Sequence, residues 1–517
     1  MIQAELRMTW ITQNLRGRKK GLTLRSGVRL PVSGFGIGSV VAVLASGLVQ
    51  SAPTQSVALP SSKAGQLVGE WLKLCRAPDL TQMTKWLTAN ISDEVARRIP
   101  AQDRVTDFKV CTDNGGFRVV EVTESGPRVI SLEVVGLKSA LWFEKRVVVN
   151  DAGKLDRSGL RLIVPAESSL PADLSDEAIA VEVKATVSKL SGLGLFSGIV
   201  VVARGTQTIV SASGGYANRA RKSPITGASQ FTLGSMGKMF TAVAIGQLVD
   251  QQKIVFADTV GEFFPDYPNQ TVRQKATVGM LLSHTAGMGD FLDRRTAGMM
   301  RGGVSRAAEF MPLYDKDEPQ FEPGTNWAYS NAGLALAGAI VEKVSGEDYP
   351  VYIRKHIFAV AGMTNSDPNN IPQATARLVT PYTQETRVAQ SPDRHEAEHD
   401  IGSPAGGAIS TSDDLVRFAD ALYSGKLVSK ATFDAMIKPH GSMRRGVQYG
   451  YAMEISDTYG RTIVGHGGGF PGVSTHLYLL LDSPYTVVIL ANDDPPAAEY
   501  VGSKVVALMA EKAKVGK

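Results

Sequence analysis

Apolar residues recur along the chain in two rhythms, and the points where one replaces the other mark its organisation. From Ser62 to Ala77 the rhythm is helical, with Leu67, Val68, Trp71, Leu72 and Cys75 on one side. A second helix follows Asp79, and Leu80, Met83, Trp86 and Leu87 form its apolar face. Short strand-like runs come next, at Phe108–Cys111, Phe117–Thr123, Val129–Val135, Leu141–Asn150 and Leu160–Val164. Between them stand the turn signals Asn114-Gly-Gly, Ser125-Gly-Pro and Asn150-Asp-Ala-Gly. The stretch from Pro165 to Leu174 reads as a linker. A helix then starts at Ser175, with Ile179, Val183, Val187 and Leu190 at helical spacing. A hairpin follows, Gly198–Ala203 and Thr208–Ser213, turning at Arg204-Gly205. The runs Met239 to Val249 and Ala332 to Ser345 are helical again. Helix, hairpin and helix in this order open an α/β domain that runs to the C-terminus.

The N-terminal pattern is of another kind. A basic stretch to Arg29 precedes an apolar, glycine-interrupted run from Gly34 to Ala45, and small residues continue to Ser51-Ala52. That is the order of an export signal, with Val49-Gln-Ser51 the best fit for a cleavage site; an uncleaved membrane anchor is the alternative. The expected division is therefore 1–52 as signal peptide or anchor, 53–172 as an accessory α+β domain and 173–517 as the main domain. Its two helices and run of strands make the accessory part similar to the cone-shaped nuclear-transport-factor-2-like fold.

Composition agrees with about two to three globular domains: 43% of the 517 residues are hydrophobic and 20% are charged. The formal net charge of +5 is small, and much of the excess sits in Arg16, Arg18, Lys19, Lys20, Arg25 and Arg29. The globular part is close to neutral, which argues against a nucleic-acid partner. The two cysteines, Cys75 and Cys111, are too few for a disulfide scaffold or a structural zinc site. They read as buried small apolar residues, with a single bridge in an oxidising compartment as the alternative.

The stretch Phe231-Thr-Leu-Gly-Ser-Met-Gly-Lys238 carries the first candidate chemistry. Ser235 falls where a helix should begin, and Lys238, three residues on, shares its face at roughly 5–6 Å between Cβ atoms. A neutral lysine so close can take the serine proton and make a nucleophile. Phe321-Glu-Pro-Gly-Thr-Asn-Trp-Ala-Tyr-Ser-Asn331 is the second piece. Tyr329 beside a cationic lysine is expected to have a lowered pKa and to move protons, and Asn331 offers an amide that grips an amide or ester substrate. The third piece, Val464-Gly-His-Gly-Gly-Gly-Phe-Pro-Gly472, lies between the strand Arg461–Val464 and Thr475–Leu481. Its glycines let backbone approach a ligand and aim N–H groups at an oxyanion.

Taken together, these pieces resemble the serine β-lactamase-like hydrolases, in the branch of class C β-lactamases, DD-peptidases and family VIII esterases. That family's motifs, Ser-x-x-Lys, Tyr-x-Asn and Lys/His-x-Gly, stand here in the same order as Ser235/Lys238, Tyr329/Asn331 and His466/Gly468. Leu281-Leu-Ser-His-Thr-Ala-Gly287, Glu322-Pro-Gly-Thr325, Val344-Ser-Gly346 and Ala405-Gly-Gly-Ala-Ile-Ser-Thr-Ser-Asp-Asp-Leu415 agree with it. The resemblance covers roughly 175–515 and implies an antiparallel sheet flanked by helices plus an all-helical subdomain, so that the whole chain joins α+β and α/β parts. It also implies a two-step acyl transfer. Ser235 attacks, Lys238 and Tyr329 share the base role, Asn331, His466 and Gly468 contact substrate, and the N–H groups of Ser235 and Gly469 form the oxyanion hole. No metal or organic cofactor is needed. The partner is a small-molecule or short-peptide substrate of cell-wall type, met in the periplasm or from a membrane tether facing it. β-Lactam-hydrolysing members carry Lys-Thr-Gly where this chain has His466-Gly467-Gly468, so a D-amino-acid peptide, amide or ester is the expected substrate. A catalytically silent protein that binds cell-wall peptides or penicillin is the alternative.

His395-Glu-Ala-Glu-His399 matches the H-E-x-x-H zinc-peptidase motif, but its polar setting and Gly402 suggest a solvated loop instead of a buried helix. His284 reads as a hydrogen-bonded structural histidine beside the Leu281–Gly287 turn.

Overall fold

A computed structural model describes residues 57–98, 106–163, 174–291, 306–368, 377–385, 390–396, 402–443, 447–458 and 460–515. The expected export segment, 1–52, and most of the expected linker at 165–174 lie outside them. Helices used below are numbered in chain order, as are the strands of the two large sheets.

Capping side chains start the first helices where the sequence places them. Ser62 Oγ accepts from the Gly65 N–H at the head of α1 (Lys63–Arg76), and Asp79 accepts from Gln82 at the head of α2 (Leu80–Asn90). Beyond a short α3 (Asp93–Arg98) comes a departure, because the run expected as the strand Phe108–Cys111 belongs to a helix, α4 (Thr106–Asn114). Four apolar-rich residues do not separate a strand from one helical turn. Here Lys109 pairs with Asp113 one turn on, at 2.7 Å. Cys111 on α4 is bonded to Cys75 on α1, with the Cα atoms 4.8 Å apart. The two cysteines are buried as expected, but they are joined, not separate.

Strands β1 (Phe117–Ser125), β2 (Val129–Gly136), β3 (Trp142–Val149) and β4 (Leu155–Ile163) form a separate four-stranded antiparallel meander. Helix α1 lays Leu67, Val68 and Trp71 on it, and Trp71 stacks on Phe117 at 5.3 Å.

After α5 (Asp176–Gly192) the hairpin β5 (Gly198–Arg204) and β6 (Gln207–Gly214) forms one edge of an eight-stranded sheet. The other strands are β7 (Gly441–Ser442), β8 (Gln448–Tyr449), β9 (Glu454–Thr458), β10 (Arg461–Phe470), β11 (Val473–Leu480) and β12 (Tyr485–Ala491). The order across the sheet is β7-β8-β9-β10-β11-β12-β5-β6, with every neighbouring pair antiparallel. An α/β domain in the parallel sense is therefore not formed; the arrangement is α+β. Strands β5 and β12 are unbroken apolar runs from Ile199 to Ala203 and from Val487 to Ala491 because both faces of the sheet are covered there. Their residues Ile199, Val201, Val488 and Leu490 join one core with α6 (Lys238–Asp250), α7 (Val278–Ser283) and α8 (Asn331–Ser345). Their neighbours Val200, Val202, Val487 and Ile489 join a second core with α1, the β1–β4 sheet, α5 and the C-terminal helix α9 (Ala497–Val515).

Candidate active site

The turn that carries Ser235 owes its shape to glycine at two points. Gly234 has φ +57°, a left-handed conformation that side chains resist, and it turns the chain from a short strand at Phe231–Thr232 into a 3₁₀ turn at Gly234–Gly237 that leads into α6. Gly468 of β10 lies flat against this turn, where a Cβ would stand 1.9 Å from the Leu233 carbonyl oxygen. Thr475 on β11 adds a hydrogen bond to that same carbonyl at 2.7 Å. The result brings the backbone N of Gly469 alongside Gly234, next to Ser235. Among residues 231–238 only Ser235 is not buried.

Lys238 is fully buried, and its surroundings fix where its lone pair or third proton points. Nζ donates to Asn331 Oδ1 at 2.7 Å and to the Ala405 carbonyl, oxygens that can only accept. The remaining position meets Ser235 Oγ at 3.1 Å. A neutral Lys238 thus presents its lone pair to the serine, and a protonated one presents an N–H. Asn331 is held in register from its other end, since its Nδ2 donates to Asp290 Oδ2 at 2.9 Å. The Ala405 carbonyl arrives on the Gly406-Gly407 loop, which is pinned by the Gly407 N–H donating to the Gly234 carbonyl at 2.9 Å.

Tyr329 packs with its ring 4.7 Å from Lys238 Nζ. The expected lowering of its pKa is not found. Burial pushes the phenol up, and the hydrogen bond with Ser235 pulls down without overcoming it. Tyr329 therefore keeps its proton at neutral pH and starts as a donor.

His466 points away from solvent. Its side chain is 2% exposed, its Nε2 lies 2.8 Å from Tyr449 Oη and its Nδ1 lies 2.5 Å from the Gly467 carbonyl. Burial holds its pKa down to about 4, opposed by Glu454 and aided by Lys238. Glu454 goes the other way for a carboxylate in the interior. Burial alone would raise it, but the hydrogen bond with His476 and the neighbouring histidine charges bring it to about 2. His284 is hydrogen-bonded through both nitrogens, as its turn context suggested.

The sequence-predicted residues Ser235, Lys238, Tyr329 and Asn331 come together in one cluster, with Gly468 and Gly469 as its backbone wall and His466 behind it. Four further participants escaped sequence reading: Asp290, the Ala405 carbonyl, Tyr449 and Glu454. A carbonyl carries no side-chain signal, although the Gly406-Gly407 pair was a pointer to close backbone approach. The zinc motif does not assemble as a helix, nor as the expected loop. His395 lies in the strand Gln390–Glu396, paired with Thr383, and His399 falls outside the described residues.

Comparison with known proteins places this geometry. The protein-family model for Beta-lactamase matches residues 183–510. Penicillin-binding protein 4* of Bacillus subtilis (strain 168) is 30% identical over 316 residues, which span 58% of this chain and 68% of that protein. A D-aminopeptidase of Cereibacter sphaeroides is 24% identical over 344 residues, 62% of this chain and 61% of its own length. The crystal structure of a penicillin binding protein from Bacillus halodurans superposes with a TM-score of 0.55 at 27% identity, covering 65% of this chain and 99% of that one.

Proposed function

From the premise that this chain belongs to the beta-lactamase family of serine hydrolases, we propose that it is an exported enzyme that cleaves amide or ester bonds of D-amino-acid type through an acyl-enzyme on Ser235. The observation that carries this reading is the position of Lys238 Nζ, fixed by two acceptor-only oxygens with its third direction on Ser235 Oγ. In the first step Ser235 Oγ adds to the carbonyl carbon and its proton passes to neutral Lys238. The backbone N–H groups of Ser235 and Gly469 receive the oxyanion. The bond to the leaving group then breaks, and Tyr329 gives that group its proton. In the second step water attacks the ester and gives a proton to the Tyr329 phenolate, while Lys238 returns its proton to Ser235 Oγ as the bond from the acyl carbon to Oγ breaks.

Asp290 supports a substrate with an ammonium on its acyl side, because this exposed carboxylate stands on Asn331 beside the nucleophile. The name of the D-aminopeptidase relative points the same way. His466-Gly467-Gly468, in place of Lys-Thr-Gly, weighs against efficient β-lactam hydrolysis. Export to the periplasm is supported by the Cys75–Cys111 bond, which suits an oxidising compartment. For the four-stranded domain, the helices laid on its meander support the nuclear-transport-factor-2-like reading.

The test is fluorophosphonate labelling of the full chain beside Ser235→Ala, followed by turnover of D-amino-acid amides with free and acetylated amines. One adduct on Ser235, absent in the variant, and faster turnover of the free amines are expected. Labelling or turnover that survives Ser235→Ala would overturn the acyl-enzyme. A penicillin adduct on Ser235 with turnover of nothing would favour the silent binding protein.

A further inference from the structure

Behind Tyr329 lies a buried chain of polar groups that the reaction above does not use. It begins at a group whose role admits no choice. The backbone N–H of Ser330, the residue after Tyr329, donates to His284 Nδ1 at 3.1 Å. A backbone N–H cannot accept, so Nδ1 keeps its lone pair and the His284 proton sits on Nε2. That N–H donates to Tyr449 Oη at 3.0 Å. The Tyr449 O–H is left to donate onward, and its partner is His466 Nε2 at 2.8 Å. The His466 proton must then sit on Nδ1, where it faces the Gly467 carbonyl at 2.5 Å, with Glu454 Oε1 3.8 Å away.

Water cannot replace any of these links, since His284, Tyr449 and His466 are 1%, 0% and 2% exposed. The chain also has a mechanical aspect. The His284 ring lies between those of Tyr329 and Tyr449, with centroids at 4.4 and 4.7 Å, and Trp327 stands edge-on to it. His284 ends α7, Tyr449 lies on β8 and His466 on β10, so one hydroxyl ties the sheet to the loop that carries Tyr329 and leads into α8 at Asn331. The charged and titratable neighbours of the chain are Lys238, Tyr329, Glu454 and His476.

We propose that Tyr449 is a positioning residue: its hydroxyl accepts from Nε2–H of the His284 tautomer that the Ser330 N–H sets and donates to Nε2 of the His466 tautomer that faces the Gly467 carbonyl, and through His284 it holds Tyr329 in place for proton transfer. The proposal rests on the acyl-enzyme reading for its kinetic effect but not for its tautomers. A tyrosine that merely filled the core would be replaced by phenylalanine without consequence.

Long-range ¹H–¹⁵N spectra of the histidine rings in the intact protein give the first test. Protonation on His284 Nε2 and His466 Nδ1 at neutral pH is expected, and the opposite tautomer at either ring would overturn the proposal whether or not the protein turns over a substrate. The second test is Tyr449→Phe, followed by the rate of Ser235 labelling. The maximal rate should fall roughly ten- to hundredfold, as for a displaced catalytic group, with the probe's half-saturating concentration unchanged. In the same variant the His466 Nε2 resonance should move as it loses the Tyr449 hydrogen bond, with the proton kept on Nδ1. A wild-type labelling rate with that resonance unmoved would overturn the proposal. If wild type itself fails to label, the acyl-enzyme reading falls and the ring spectra still decide this one.

Discussion

In β5 and β12 the side chains of Ile199, Val201, Val488 and Leu490 face α6 and the Ser235 turn, while Val200, Val202, Val487 and Ile489 face α5, α9 and the N-terminal domain. The two faces thus share strands, and nearly share composition along them, yet their surroundings differ. The face toward Ser235 encloses Lys238, His284, Asn331 and His466, each satisfied by specific partners at a cost in apolar contact. On the opposite face an aromatic series runs from Trp71 through Phe117 and Phe143 to Tyr500, with centroids 5.3, 5.3 and 6.5 Å apart, and the Tyr500 hydroxyl donates to Asp113 at 3.0 Å. The lesson is a division across one sheet: the polar groups buried toward Ser235 converge on one cluster, while the other side packs its aromatic series against the extra domain.

That division can be broken from either side. The largest effect should come from Lys238→Met, which removes the group aimed at Ser235 Oγ. Labelling of Ser235 is expected to slow by at least about a thousandfold, while the far-UV circular dichroism spectrum stays that of the parent; retained labelling would mean that the buried amine is not the base. On the other face, replacing both Cys75 and Cys111 by Ser opens a loop of sequence separation 36. Unfolding by urea should then lose about 3–4 kcal/mol of stability on the chain-entropy account, with labelling per folded molecule unaltered. A labelling rate that fell along with the midpoint would show that the two faces are coupled.

The gentlest probe is pH, and it acts on the nucleophile's side. An unfolded histidine takes up a proton below 6.5 that folded His466, held at about 4, refuses, so stability should decline as pH falls from 6.5 to 4. Glu454 works in the same sense, because its pKa of about 2 lies below the ordinary 4.5 and its contribution is lost as pH falls from 4.5 towards 2. Urea midpoints across this range should therefore drop steadily towards acid, and a flat profile from 6.5 to 4 would contradict the burial of a neutral His466.

Legibility in the sequence followed the same division. Local chemistry was readable: the helix starts at Ser62, Asp79 and Ser175, the hairpin at Arg204-Gly205, and the motifs around Ser235, Tyr329 and His466 all depend on neighbours within a few residues. Phe108–Cys111 was misread because so short a run fits either period, and what decides it is Cys75 on another helix. The Tyr329 phenol was misjudged since proximity to a cation is visible in a motif while desolvation is not. Tyr449 and Glu454 carry no motif at all. They matter only because β8, β9 and β10 are neighbours in the sheet, a fact that short-range pattern does not encode.

The contact between Asp113 and Tyr500 joins residues 387 positions apart, and the helix that supplies Tyr500 is the 19-residue segment ending at Val515. At about 5–20 residues per second, a ribosome needs on the order of 20–80 s to traverse that interval. For all of it, the part of the β1–β4 core that α1 leaves uncovered waits for the helix that carries Tyr500. Helix α9 acts as a seal on the four-stranded domain. A nascent chain that stops before Ala497 carries an open apolar surface, the state on which chaperones and proteases compete.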